Sequence, residues 1–141
     1  MVKKKDKFVF SEGKRKTSVA RAVLKPGKGN VRINTVPLEF WGTEPLRLWI
    51  KEPLIIADEV GKSVDIDVNI KSGGIVSGAE AARQAVAKGL VEFGGKELKN
   101  KYLEYDRNLL VYDPRRTESH HGSGRGASKR GSRRHKQRSK R

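Results

Sequence analysis

The chain has 141 residues, of which 32 are Lys or Arg and 16 are Asp or Glu, with no Cys and a formal net charge of +16 at pH 7. This length leaves room for one domain, the lack of Cys excludes disulfides and thiolate metal sites, and no apolar run approaches the roughly 20 residues of a membrane span. The N-terminal apolar cluster is also too short for a secretory signal, so we expect a cytoplasmic protein. The excess of positive charge indicates that it binds a polyanion.

The positive charge is concentrated at the two ends of the chain. Residues 1–32 carry a net charge of +9, residues 33–113 carry −3, and residues 114–141 carry +10. The last segment has one apolar residue, Ala127, and cannot bury enough surface to offset the entropy of ordering it. The sequence therefore predicts three parts: a basic N-terminal extension (1–12), a globular domain (13–113) and an extended basic RNA-binding tail (114–141).

The first predicted elements are two strands and a helix. Residues 19–24 and 31–34 carry strand-forming residues around the turn sequence 26–30, which predicts a β-hairpin. Thr43 can cap a helix that has Pro45 in its first turn. We expect this helical segment to be kinked or divided at Pro53 and to reach about Val60.

The second half of the domain has the clearest periodicities. Apolar and polar residues alternate over 64–71, which predicts a strand with one buried face and with Asp65 and Asp67 as solubilising residues on the other. A capping box at 77–80 then predicts a helix that ends at Gly94-Gly95. A second helix over 96–105 and a short strand over 108–112 follow. Together these elements predict an α/β fold, a two-layer sandwich of one sheet and its helices.

The first basic cluster leads directly into the predicted first strand. Lys14, Arg15, Lys16 and Arg21 have only one acidic residue nearby, Glu12. Cations on a rigid edge can contact successive phosphates, so we expect them to bind RNA, although a solvated charge run is the alternative.

The tail holds the second basic cluster, in which Arg predominates. Arg binds phosphate through two parallel hydrogen bonds and stacks on exposed bases, while the interspersed Gly residues allow close backbone approach. The alternative is a disordered tail that only aids solubility. The RNA-binding candidates in the tail are Arg115, Arg116, Arg125, Lys129, Arg130, Arg133 and Arg134, followed by Arg138, Ser139, Lys140 and Arg141 at the terminus.

Other chemistries have weaker support. Gly73-Gly74 precedes a helix, but the phosphate-loop spacing is absent, so a structural turn is favoured over a nucleotide site. His120, His121 and His135 lack clustered Cys or carboxylates, so we expect no metal. Trp41 and Trp49 are interpreted as packing residues, with base stacking as the alternative. We expect no catalysis, no cofactor and no small-molecule substrate.

Several motifs in order resemble the universal small-subunit ribosomal protein nine family over nearly the whole chain. They are GKRKTSVARA at 13–22, PGKGNVRIN at 26–34, Pro37-Leu38, Glu52-Pro53-Leu54, GGIVSGAEAARQAVAKGL at 73–90 and LLVYDPRRTE at 109–118. The DPRRTE form resembles the archaeal and eukaryotic branch. The ending Ser139-Lys140-Arg141 departs from that branch, which usually has Tyr before the last Arg, and is similar to bacterial endings.

The resemblance implies a left-handed βαβ crossover and a place in the head of the small ribosomal subunit. It implies that small-subunit ribosomal RNA, neighbouring head proteins and the anticodon stem-loop of peptidyl-site transfer RNA are partners. Lys14, Arg15, Lys16, Arg21 and the tail Arg residues would then contact ribosomal RNA, and residues 138–141 would lie near the transfer RNA.

Two other functions remain open at the level of sequence. Charge alone does not distinguish RNA from DNA, so a DNA-compacting protein is one alternative. A phosphate-handling enzyme on the same fold is the other, because a fold does not determine a function.

Overall fold

Five strands form one mixed sheet in the computed structural model, which describes residues 8–117. The strands are β1 (Val9–Arg15), β2 (Ser18–Pro26), β3 (Val31–Ile33), β4 (Val36–Pro37) and β5 (Val64–Lys71). The helices are α1 (Glu44–Ala57), α2 (Glu59–Lys62) and α3 (Ile75–Tyr105), with 3-10 turns at Leu38–Phe40 and Arg107–Leu109. The strand order is β1-β2-β5-β3-β4, and all neighbours are antiparallel except β3 and β5. This α+β arrangement confirms the predicted fold class.

The alternation of β5 determines which face of the sheet is buried. Val64, Ile66 and Val68 are at most 3% exposed, whereas Asp67 and Asn69 point to the opposite, open face. The strand predicted over 64–71 is therefore confirmed, and its apolar face forms part of the core with the buried face of β2.

Helix α3 packs closely on this inner face because its contact surface is made of small residues. Ala79, Ala82 and Ala85 are fully buried. On the facing strand β1, a Cβ at Gly13 would overlap the backbone carbonyl of Ala81. Only glycine therefore permits this separation of strand and helix.

The predicted helix end at Gly94-Gly95 is confirmed as a sharp bend within α3. Gly95 has φ 70° and ψ −156°, so residues 75–94 and 96–105 are two helical pieces. The second piece folds back on α1, where the fully buried Tyr102 hydroxyl donates a hydrogen bond of 2.6 Å to the Pro53 carbonyl. Burial raises the pKa of Tyr102, so the phenol stays neutral and keeps donating.

The predicted capping box at 77–80 is wrong in its register. The N-cap is Gly74, three residues before the predicted Ser77, and the Ser77 hydroxyl accepts the Gly74 amide at 3.1 Å from the third helical position. Glu80 does not cap the helix; its carboxylate pairs with Arg15. Glu80 lies three residues beyond the capping position, which Ser77 occupies, so its carboxylate is available for this tertiary contact.

Helix α1 follows its sequence signals at the start but not at the end. Thr43 occupies the N-cap position and Pro45 lies in the first turn, as predicted, although the Thr43 side chain makes no capping hydrogen bond. Pro53 is accommodated inside the helix. The break before α2 comes at Asp58, where φ is 45°.

The predicted β2–β3 hairpin is wrong, because β5 lies between these two strands. The connecting loop passes over the start of β5, and the Asp65 carboxylate accepts the Lys28 and Asn30 amides, both at 2.9 Å. The Asn30 carbonyl in turn accepts the Ile66 amide at 2.8 Å. Turn chemistry indicated a reversal of the chain, and it carried no information about which strands pair.

Two further strand predictions also need correction. Strand β1 was missed because Val9 is its one buried residue with a large apolar side chain, and its last two residues, Lys14 and Arg15, belong to the basic cluster. The strand predicted over 108–112 is instead a 3-10 turn with no ladder partner in the described part of the chain.

The parallel pairing of β3 with β5, connected through α1 and α2, forms a βαβ unit. Its left hand stays a prediction from the resemblance. No helix among residues 8–117 is long and apolar enough to cross a membrane.

Candidate nucleic-acid interface

The first basic cluster lies at the tip of the β1–β2 hairpin. Arg15 and Ser18 close the ladder around a two-residue turn in which Lys16 has φ 53°. Lys14 and Lys16 are exposed, and Lys14 lies 3.6 Å from Glu12 in an exposed pair. Lys16 has no ion-pair partner among residues 8–117, so its charge is free to meet a phosphate.

Arg15 differs from its neighbours because its side chain is only 16% exposed. Its guanidinium pairs with Glu80 and lies 3.4 Å from Asp113. It also donates to the Arg115 carbonyl at 3.4 Å. This predicted RNA-binding residue is therefore engaged inside the protein, where it joins the hairpin, α3 and the segment after the last 3-10 turn.

That last segment, residues 111–117, is the root of the predicted tail, and it is attached to the body by polar contacts. The buried Gln84 accepts the Lys14 amide at 2.9 Å and donates to the Val111 carbonyl at 2.9 Å. Asp113 accepts the Arg115 amide at 3.0 Å and the Arg115 guanidinium at 2.7 Å. These Arg115 hydrogen bonds hold the pKa of Asp113 well below its ordinary range, so the carboxylate remains charged.

The structure thus brings together two clusters that are about 100 residues apart in sequence. A cleft of about 130 Å³ separates the hairpin tip from the tail root, with Lys14 and Arg115 among its lining residues. Arg115 is 78% exposed, and Arg116 is exposed beside Tyr112, to whose hydroxyl its guanidinium donates at 2.8 Å. Cations from both clusters therefore border one surface.

Trp49 also lines this cleft and is 43% exposed, whereas Trp41 is half-buried against the core. The packing interpretation holds for Trp41. For Trp49 no local signal could have indicated the site, since its basic neighbours come from distant parts of the chain.

Arg21 lies on the open face of the sheet and not at the hairpin tip. Sheet register places Lys14 across from Val19 and Lys71, and Arg21 across from Glu12 and Asn69, in the adjacent row. Lys71 was not among the predicted site residues, although its position at the end of an alternating strand placed it on the polar face. The open face therefore extends the cationic surface around the hairpin tip.

The other predicted tail residues lie outside the described residues. They are Arg125, Lys129, Arg130, Arg133, Arg134, Arg138, Ser139, Lys140 and Arg141.

Gly73-Gly74 forms a turn that packs against β2 at Gly73. A Cβ at Gly73 would overlap the Ser18 hydroxyl, which is itself hydrogen-bonded to Ser77 at 2.7 Å. The Gly73 side of the turn is thus filled by Ser18, whereas a Cβ at Gly74 would meet no atom within 4 Å. Within residues 8–117 there is also no group of three potential metal ligands.

Comparison with known proteins gives consistent matches. Residues 13–141 match the family described as Ribosomal protein S9/S16. The chain is 54% identical over 115 residues to the small ribosomal subunit protein uS9 of Desulfurococcus amylolyticus, which covers 81% of this chain and 82% of that protein. It is 54% identical over 113 residues to the uS9 protein of Pyrobaculum aerophilum, covering 79% and 80%. The uS9 protein of Methanococcus maripaludis is 50% identical over 115 residues, covering 81% and 86%.

Proposed function

Because the chain belongs to the ribosomal protein S9/S16 family, we propose that the cationic surface at its hairpin tip and tail root binds small-subunit ribosomal RNA. The family makes the chain a structural constituent of the small ribosomal subunit, a cytoplasmic ribonucleoprotein that serves translation, and not an enzyme. It also favours RNA over the DNA partner that charge alone left open.

One observation carries the proposal: Arg15, Gln84 and Asp113 fasten the tail root beside the hairpin tip. Exposed Lys14, Lys16, Arg115 and Arg116 can therefore contact one folded RNA from a single rigid edge. Preorganised cations lose less entropy on binding than cations on a free chain. Arg15 supports this surface from within, and Arg21 adds to it from the open sheet face.

The tail continues the same function beyond the body. Beyond the anchored root, Arg125, Lys129, Arg130, Arg133 and Arg134 would bind ribosomal RNA phosphates. Residues 138–141 would end near the anticodon stem-loop of peptidyl-site transfer RNA, and neighbouring head proteins would surround the body. Support comes from the family resemblance and from the concentration of +10 in this segment.

A charge reversal at the hairpin tip tests the rigid part of the surface. Lys16→Glu should weaken binding to a ribosomal RNA fragment of the subunit head by at least fivefold, because it replaces a phosphate contact by repulsion. Lys101→Glu, on an exposed part of α3, changes the net charge equally and should alter the affinity less than twofold. Equal losses in the two variants would contradict a localised interface.

A terminal deletion tests the end of the tail. Removing residues 139–141 should increase the dissociation rate of transfer RNA from the peptidyl site and leave assembly of small subunits intact. Filter binding on purified subunits measures the dissociation rate, and sedimentation measures assembly. Loss of assembly with normal transfer RNA retention would refute this division of roles.

A further inference from the structure

A second concave surface lies at the opposite end of the sheet from the hairpin tip. The groove has a volume of about 890 Å³ and is enclosed by the β2–β3 loop, β3, the first 3-10 turn, α1 and α2. Strand β2 has nine residues and connects the two ends, which places them on the order of 25 Å apart. An RNA helix seated on the hairpin tip therefore leaves the groove available to another partner.

The wall of the groove is aliphatic. Val31, Leu38, Leu54 and Ile55 line it, and Ile55 is 72% exposed. Two helical turns before Ile55 in α1, Leu48 is 55% exposed. Clustered apolar exposure of this kind usually marks a binding surface.

The rim of the groove carries four Lys or Arg residues against two carboxylates, Glu39 and Asp58. Lys28, Arg32 and Lys51 line it, and none of them has an ion-pair partner in the part of the chain that the structure describes. Lys62 is also present, but it is paired with Asp58 at 2.9 Å. Three unpaired cations therefore face one carboxylate, Glu39, and the net positive charge of the rim complements an acidic ligand.

The groove is held open by contacts already made within the protein. Asp65 fixes the backbone of the β2–β3 loop through the Lys28 and Asn30 amides. The loop also donates from the Gly27 amide to the Ser63 carbonyl at 2.9 Å, across the end of α2. A ligand would meet a preformed surface and would not have to order the loop.

We propose that this groove binds an extended, acidic and aliphatic segment of a neighbouring protein in the small subunit. This inference rests on the proposed function, because the partner is a protein that the chain contacts in the assembled subunit. Aliphatic side chains of such a segment would cover Leu54 and Ile55, and its carboxylates would pair with Lys28, Arg32 and Lys51. RNA fits less well, because no aromatic ring among the described residues lines the groove for base stacking. A sugar-phosphate backbone would satisfy the rim and leave the aliphatic wall uncovered.

A site-specific cross-link identifies the occupant. The chain has no Cys, so Ile55→Cys gives a single attachment point for a benzophenone maleimide. Labelled full-length protein is assembled into small subunits, irradiated and digested, and the products are identified by mass spectrometry. Leu103→Cys is the matched control, since Leu103 is 42% exposed on the second piece of α3.

The expected product from position 55 is a protein segment that contains both acidic and aliphatic residues and that the position-103 control does not yield. A product on RNA, a basic or purely polar segment, or no product above the control would overturn the inference. Sedimentation before irradiation distinguishes failure of this inference from failure of the proposed function. If the proposed function fails, the labelled protein is absent from the subunits.

A peptide titration tests binding at the groove in the free protein, independently of subunit assembly. The probe is a ten-residue peptide of alternating Glu and Leu, titrated into the full-length chain. Lys51→Glu should weaken its binding at least fivefold, whereas Lys101→Glu, with the same net charge, should change it less than twofold. Equal affinities for the two variants would refute the groove as the binding site.

Discussion

Asp65 holds the β2–β3 loop against the start of β5, although it lies on the solvent side of that strand. Its carboxylate accepts two backbone amides from the β2–β3 loop, and these hydrogen bonds, that from Asn30 first, lower the pKa of Asp65 from its ordinary 3.8. The sequence identified this residue only as solubilising, because its partners are more than 30 positions away and belong to a loop.

We expect Asp65→Ala to lower the free energy of unfolding by about 1–2 kcal/mol, since two amides lose a charged acceptor in a partly solvated site. Because folding lowers the pKa, the wild-type advantage is complete above pH 3.8 and is lost as the pH falls below that value. Urea unfolding of both proteins between pH 3 and pH 7 measures this difference.

Asp67→Ala is the matched control for this measurement. Asp67 is two residues further along the same face and makes only an exposed ion pair with Lys25 at 3.5 Å. Such pairs contribute little, so this variant should unfold within about 0.5 kcal/mol of the wild type. Equal losses at the two positions would mean that the loop contacts of Asp65 do not stabilise the fold.

At the scale of elements, sequence periodicity predicted the strand and the helix that bury one face, and it missed elements that are held by residues far away in the sequence. The alternation of β5 and the helical spacing in α3 both reflect burial of one face, and both elements formed where expected. Strand β1 has little such alternation: it is held by pairing with β2 and by contacts such as that of the Ser11 hydroxyl with the Ala85 carbonyl, at 2.7 Å. The site shows the same limit, because the partners of Arg15 lie 65 or more residues away.

The packing of β1 on α3 leads to a prediction about Gly13. Gly13→Ala should destabilise the protein by at least about 2 kcal/mol, because the new methyl group overlaps helix backbone that cannot move aside easily. Thermal unfolding should show a melting temperature lower by roughly 10 °C.

Gly74→Ala serves as the comparison, because a Cβ there has no atom within 4 Å and φ is −93°. A slightly poorer N-cap is offset by a less flexible unfolded chain, so its stability should change by less than about 0.5 kcal/mol. If Gly13→Ala were as stable as Gly74→Ala, the close approach of strand and helix would be incorrect.

At the scale of the whole molecule, the separation of charge along the chain becomes a separation in space. The sequence predicted two basic ends around a slightly acidic middle, and it also carried the ordered motifs of the family to which the chain belongs. It could not show that Arg15 and Gln84 bring the root of the second basic segment to the tip of the first. The acidic middle supplies the contacts that do this, since Glu80 and Asp113 hold Arg15 between them.

Truncation after Thr117 should separate folding from RNA binding. The deleted residues carry nine Lys or Arg but only one apolar side chain, so the melting temperature should stay within about 2 °C of the full chain. Each lost phosphate contact should reduce the slope of log affinity against log salt concentration by about 0.7, for a total of up to about six. Titration of a head-domain ribosomal RNA fragment at several salt concentrations gives that slope. An unchanged slope with weaker binding would show that the tail acts through uncharged contacts, and a lower melting temperature would show that it belongs to the folded body.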